Sequence, residues 1–215
     1  DKHNMVDNVI FSPRANLRFN PTQNINLRLS YSSGFRAPQA FDEDMHIENV
    51  GGTVAMIERA KDLKEEKSQS FSVSADMYHR FGAFQTNLLI EGFYTRLTDV
   101  FVLGKPYDRG DGILVKTRSN GPGAKVMGLT LEGKVAYLSI LQIQAGLTLQ
   151  RSRYDEPHKW HDDAPAEKKI FRTPDTYGYF TATCTPVKPL SIALSGTYTG
   201  RMLVQRMDIT AENAE

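Results

Sequence analysis

Three groups of side chains in this 215-residue chain are of types that do chemistry. The densest is His158-Lys159-Trp160-His161-Asp162-Asp163. Two imidazoles and two carboxylates so close together suggest a metal, and Trp160 suggests stacking on a ligand ring. The spacing matches no zinc pattern, however, and a polar loop preorganises little. The plainer reading is a solvated loop whose Trp packs on its neighbours, so His158, Trp160 and His161 stand as candidate ligand contacts rather than metal ligands. A second group is Tyr107, Arg109 and Arg118. The planar guanidinium fork suits carboxylates and catecholates, and these residues would hold an anionic chelate if their loop were more than a solvated connection. The third group is Asp76, Glu91 and Glu132, carboxylates that do acid–base work only at a fixed mutual distance. They fall on different elements, so no catalytic residue, metal ligand or cofactor is assigned. A phosphate loop, a nucleophile elbow and a His-Glu-x-x-His pair are missing, as is a basic surface interleaved with aromatics, so nucleic acid is not an expected partner.

The elements that position these residues read as strands. From Ile25 to Ser33 the chain alternates: Ile25, Leu27, Leu29 and Tyr31 point one way, Asn26, Arg28, Ser30 and Ser32 the other. This is period two, a strand with one apolar and one polar face. The pattern recurs over 11–19, 68–80, 84–98, 126–138, 141–150, 173–185 and 190–199, although Leu89 and Phe93 interrupt the polar face of one strand. The Tyr- and Thr-rich stretch 173–185 has no assignable facing. Eight strands of about ten residues match the length that crosses a bilayer core at a tilt.

The connections carry the topology. Those near 20–24, 81–83, 139–140 and 186–189 are short, and those over 35–66, 100–124 and 152–172 are long. Short and long alternate, which in an up-and-down sheet places all short turns at one end and all long loops at the other. Val54 to Glu66 in the first long connection reads as a short helix, and 113–117 in the second as a small hairpin arm. On the apolar face Tyr31, Phe71, Tyr94 and Tyr198 fall toward the long-loop end, and Phe19, Phe84 and Tyr137 toward the short-turn end. Two aromatic girdles around an apolar band are expected at the two interfaces of a membrane.

Composition agrees. Lys plus Arg number 26 and Asp plus Glu 25, a net charge of +1 that gives no global field toward nucleic acid. Mean hydropathy is −0.41, and no run approaches the ~18 apolar residues of a spanning helix, which leaves an alternating barrel untouched. The single cysteine, Cys184, excludes an internal disulfide. The chain opens on Asp-Lys-His-Asn without an apolar leader and closes on a polar Thr210–Glu215 segment, so both ends read as cuts.

Gly34-Phe35-Arg36-Ala37-Pro38, closing an alternating strand, resembles the Phe-Arg-Ala-Pro signature of the barrels of TonB-dependent outer-membrane receptors. Lys169-Ile170-Phe171-Arg172-Thr173-Pro174-Asp175 before Tyr177-Gly178-Tyr179, and Pro186-Val187-Lys188-Pro189-Leu190 before a run ending Tyr198-Thr199-Gly200-Arg201, resemble late barrel strands of the same family, most closely those of the Bacteroides group. The resemblance implies an all-β, antiparallel, up-and-down transmembrane β-barrel in the bacterial outer membrane. Residues 1–215 would supply about eight strands of a larger barrel, with the plug domain and terminal strands absent. It implies outer-membrane lipid, the plug and remaining strands as partners, with TonB acting through the plug. It also implies import of a scarce large ligand such as a ferric siderophore, haem or cobalamin, and no enzyme activity. Two other readings of the residues stay open. One is an outer-membrane barrel enzyme, a protease or lipase, since eight strands suffice to close a barrel. The other is a soluble β-barrel or sandwich that binds a ligand.

Overall fold

The computed structural model describes residues 10–38, 55–105, 107–110, 114–159 and 165–204, and all regular structure among them is strand. In chain order the strands are β1 (Arg14–Thr22), β2 (Ile25–Arg36), β3 (Ala55–Arg59), β4 (Glu66–Phe81), β5 (Phe84–Thr98), β6 (Phe101–Leu103), β7 (Tyr107–Asp108), β8 (Leu114–Asn120), β9 (Ala124–Tyr137), β10 (Leu141–His158), β11 (Glu167–Lys169), β12 (Thr176–Val187) and β13 (Leu190–Thr199). The large sheet runs β1-β2-β4-β5-β9-β10-β12-β13, with β11 added to β10, and every neighbouring pair is antiparallel. The eight alternating segments are thus the eight strands of this path, met in sequence order. Tight closures pair Thr22 with Ile25, Phe81 with Phe84, Tyr137 with Leu141 and Val187 with Leu190, all at one end. Gly82 takes the positive φ of 58° in the Phe81–Phe84 turn, a value that glycine reaches without strain.

The long-loop end departs from the sequence expectation in two places. The helix expected over Val54–Glu66 is instead, within the described residues, strand β3 followed by a turn. Ala55–Arg59 has little periodicity of its own, and a parallel partner, Leu114–Arg118 of β8, decides its conformation. The hairpin arm expected at 113–117 is the start of β8, which pairs with β6 and β7 as well as β3. Strand β10 also continues to His158, eight residues past the expected end, because Arg151–Tyr154 stays on the ladder with Ala124–Met127 of β9.

The two faces of the large sheet reverse the habit of a protein in water. Phe71 and Val73 of β4 are 47% and 60% exposed, while Ser70, Ser72 and Ser74 between them are half-buried. Large side chains are the open ones and small ones the crowded ones, so the sheet curls with its apolar face convex and its polar face concave. A soluble sandwich would bury Val73 and expose Ser72. The polar face is closely knit: Ser70 and Thr95 hydroxyls lie 2.9 Å apart, Thr130 and Thr148 3.0 Å, and Gln144 donates to Glu132 at 2.8 Å. Phe93, which breaks the alternation, fills a gap on this face, because its ring stands over Gly128. The structure also gives β12 a facing: Phe180 opposite Ala145 is convex, and Tyr179 bonded to Glu132 is concave.

Both aromatic clusters form. Tyr31 meets Phe71 at 4.8 Å between centroids at one end, and Phe84 meets Tyr137 at 4.8 Å and Phe81 at 5.4 Å at the other. Phe19 and Tyr198 share one ladder row through Leu27, Ala75, Ile90, Leu131, Leu147 and Gly178, although the sequence assigns them to opposite ends. Stagger reconciles the two. Phe19 is near the Thr22 turn and Tyr198 near the open end of β13, so a row climbs toward the long-loop end from β1 to β13, the shear of a tilted barrel wall.

The third connection is tied back to β10. Lys169 Nζ donates to Asp175 Oδ2 at 2.6 Å, and Arg153 Nη1 lies 3.6 Å from Oδ1, an ion pair rather than a hydrogen bond. The Lys169 hydrogen bond, with the charges of Lys169 and Arg153, holds the Asp175 carboxyl below its usual range. A lowered value stabilises the folded form at every pH above the ordinary aspartate pKa of about 3.9, and the contribution fades as pH falls through the lowered value. In the intact receptor, we expect amide protection over 167–175 to hold from neutrality to that point and drop below it, with Asp175→Asn reproducing the drop at neutral pH. Hydrogen exchange corrected for intrinsic rates checks this, and protection unchanged in both cases would remove Asp175 from the role.

Two pairs of substitutions test the facing and the packing. Val73→Arg places a cation in the middle of the convex band and should cost about 2–4 kcal/mol, whereas Ser72→Arg on the concave face should cost far less. A Cβ on Gly128 would meet the Leu149 carbonyl at 2.5 Å, while one on Gly133 meets nothing within 4 Å. Gly128→Val should therefore cost about 1–3 kcal/mol and Gly133→Ala almost nothing. The temperature at which the folded band disappears on electrophoresis of the intact receptor reports all four.

Candidate functional site

At the long-loop end β3, β6, β7 and β8 form a second sheet with β8 at its centre. Strand β8 lies parallel to β3, from the first long connection, and antiparallel to β6 and β7 of its own. One side chain locks the two connections together. Asn120 Oδ1 accepts the Lys64 N–H at 2.8 Å, and Nδ2 donates to the Lys64 carbonyl at 3.0 Å and the Asp99 carbonyl at 2.8 Å. The Ala60 N–H donates to the Arg118 carbonyl at 2.9 Å, and Arg109 Nη1 lies 3.6 Å from Glu58 Oε1. These ties satisfy backbone groups that a solvated loop would leave to water, so the first two connections act as one body.

The Gly34–Pro38 signature is the footing of that body. Arg36 stands opposite Glu66 in the ladder, with its guanidinium carbon 5.7 Å from the Phe101 ring centroid. Glu66 Oε2 accepts the Phe101 N–H at 3.1 Å, which fixes where the second connection leaves the sheet. A Cβ on Gly34 would sit 3.0 Å from Ser68 Oγ, so the small residue admits the neighbouring strand. Phe35 is exposed, Ala37 half-buried and Pro38 buried. Nearby, burial and then the Glu66 charge raise the Tyr154 hydroxyl above its usual pKa.

The candidate ligand residues divide in space. Tyr107 is 45% exposed and pairs with Val115, Arg109 is exposed beside Glu58, and Arg118 is 2% exposed within the loop sheet. Tyr107 and Arg118 therefore belong to one sheet and Arg109 directly follows β7, with Tyr107 and Arg109 at the surface and Arg118 inside. His158 ends β10 in register with Glu167, and Trp160 and His161 lie outside the described residues. Sequence reasoning missed Asn120 and Glu66, the two residues that fasten the rim. Asn120 stands in a Gly/Pro-rich turn, where Asn is ordinary, and Glu66 in a run of solvated charges.

Two of the concave carboxylates are satisfied by neutral donors. Asp76 accepts from Tyr78 at 2.8 Å and from Asn87, and Glu132 accepts from Gln144 and Tyr179. Among the described residues no three His, Cys, Asp or Glu side chains converge as a metal site would require. The arrangement is that of a polar inner wall below a stiffened, exposed rim.

Comparison with known proteins matches this geometry. The family model described as TonB dependent receptor-like, beta-barrel, matches residues 2–205. No curated protein matches the chain. Among solved structures, the FrpB iron transporter from Neisseria meningitidis (F3-3 variant) is similar with a TM-score of 0.60 at 17% identity, over 87% of this chain and 26% of that one. The siderophore receptor PirA from Acinetobacter baumannii gives 0.61 at 13%, over 89% and 29%. The alcaligin outer membrane receptor FauA from Bordetella pertussis gives 0.53 at 17%, over 89% and 30%. The chain therefore spans between a quarter and a third of the length of these structures. It belongs to the TonB-dependent receptor family and forms part of the β-barrel of such a receptor in the bacterial outer membrane.

Proposed function

We propose that this chain is a section of wall and rim in a receptor that imports a ferric siderophore. The observation that carries the reading is the joined loop sheet. Two long connections are fixed to each other through Asn120 and to the wall through Glu66 and Arg36, and they present Tyr107 and Arg109 to solvent. A rim held this way loses little entropy on gripping a large ligand. An aromatic ring beside a guanidinium suits the flat anionic chelating groups that surround iron in a siderophore. The names of the similar structures, an iron transporter and siderophore receptors, support that choice over haem or cobalamin.

The rest of the protein supplies the remaining strands and the plug that the wall encloses, and TonB works through that plug. The concave face, with Asp76 and Glu132 bonded to neutral partners, offers the plug a largely polar surface. The third connection brings Trp160 and His161 as further ligand contacts, with His158 at its foot.

The test uses the full receptor in its host, deleted and then restored. Uptake of radiolabelled iron as ferric siderophore should depend on the receptor and vanish with a protonophore, while haem and cobalamin uptake should not change. Tyr107→Ala with Arg109→Ala should weaken siderophore binding by about tenfold, and Asn120→Ala, which frees three backbone groups, by a similar factor. Receptor-dependent uptake of cobalamin or haem in place of the siderophore would overturn the ligand, and unchanged binding in both variants would overturn the rim as its site.

A further inference from the structure

Strands β1 and β2 carry four arginines and no carboxylate. All four belong to the concave face. Arg14 stands opposite Ser32, Arg18 opposite Arg28 and Arg28 opposite Ser74, with Arg36 at the same parity of β2. Along β2 the levels of Arg36, Arg14 and the Arg18–Arg28 pair follow at intervals of about 13 Å, from the footing of the rim down toward the Thr22–Ile25 turn. Arg36 is engaged by Phe101 and has Glu66 opposite. The lower three arginines are exposed, and none makes an ion pair with a described residue.

Arg18 and Arg28 meet directly across the ladder, where Cβ atoms lie about 5 Å apart and like charges repel. Arg18 is nevertheless fixed. Its Nε–H is shared between Asn26 Oδ1 at 3.1 Å and Asn20 Oδ1 at 3.2 Å, and both Nη groups stay unbonded among the described residues. The nearest carboxylates are engaged elsewhere or distant. Asp76, opposite Asn26, accepts from Tyr78 and Asn87. Glu91 shares the row of Arg28 but stands two strands away, about 10 Å across the sheet. Two adjacent guanidiniums with free forks suit an anion that presents flat, bidentate oxygens.

We propose that Arg14, Arg18 and Arg28 form a descending track on the inner wall that passes an anionic iron chelate from the rim toward the short-turn end. This rests on the ferric siderophore reading above and narrows it to chelates of net negative charge. Two observations favour a passing anion over a carboxylate seated permanently from the plug. Arg18 is braced by neutral oxygens of its own strand pair, which holds the side chain in place yet leaves its charge uncancelled while the site is empty. A seated carboxylate would supply that brace itself. The cations also recur at successive depths. A fixed partner needs one depth, whereas a moving anion needs each hold to be weak enough to leave and the next within reach.

The test uses the full receptor in its host and a radiolabelled ferric catecholate siderophore, an anionic chelate. Binding is measured in cells de-energised with a protonophore, and the initial uptake rate in energised cells. Arg18→Gln with Arg28→Gln should leave the binding Kd unchanged and lower the uptake rate about tenfold. Arg14→Gln should act in the same direction, and Arg18→Lys with Arg28→Lys should recover part of the rate, since the charge stays and the fork is lost. The heat-modifiable band of each variant, unchanged from wild type, shows that the barrel folds. An uptake rate equal to wild type overturns the track, as does a Kd that weakens in step with the rate. Entry of a large antibiotic into cells carrying the double Gln variant also overturns it, because a loosened plug assigns the pair to a plug carboxylate. Wild-type cells that fail to import the chelate refute the siderophore reading itself, whereas normal wild-type import with unaffected variants refutes the track alone.

Discussion

The constraint behind the structure is that hydrocarbon offers a backbone no hydrogen bonds. Every N–H and C=O at that depth must be paired within the protein, which leaves a continuous antiparallel ladder as the only strand solution. From β1 to β13 the ladder is kept through every turn, and its register shifts fall beside the short turns at Phe19/Thr22 and Cys184/Val187 or in the β10–β11 pairing. Side chains on the convex face then need only be apolar, and those on the concave face only polar. The exposures of Val73 and Ser72 are a direct consequence, since the solvent for one face is lipid and for the other a polar interior.

This constraint also decides what can be read from the sequence. A slip of one residue would turn every side chain of a strand to the wrong solvent, so in such a wall each residue's type names its face. The strands over 25–33, 84–98 and 190–199 are therefore legible almost to the residue. Legibility fails where the two solvents stop differing. Residues 151–158 of β10 stand above the band, where Arg151, Ser152, Arg153 and Tyr154 carry no apolar alternation although the ladder continues. The facing of β12 is hidden for another reason. Tyr177 and Tyr179 bring rings to the concave side while Thr176 and Gly178 bring small groups to the convex one, so ring and hydroxyl do not sort by face. Strand β3 depends on a partner more than fifty residues away, which no local pattern encodes.

The candidate site is legible only as composition. Tyr107 and Arg109 stand out as residue types that suit a chelate, and the structure gives them a shared exposed platform. What makes the platform is Asn120, whose three hydrogen bonds to backbone are long-range and leave no periodic trace. Residue types that suit a ligand can be picked out by chemistry, whereas residues that hold others in place depend on geometry that only the fold provides.

Packing follows the same division of solvents. The fully buried hydrophobic residues among those described, Val115 and Ala124, lie in the rim and at its base, not in the wall. The rim faces water and must remove apolar surface from it in the ordinary way, whereas the wall has no such need because lipid covers it. So small a core cannot by itself fix two long connections. Backbone pairing between them and the Asn120 clamp take over, and both are indifferent to the side chains that point outward. Exposed rim residues can therefore vary while the frame beneath them stays the same, which separates the part of the rim that meets solvent from the part that sets the fold.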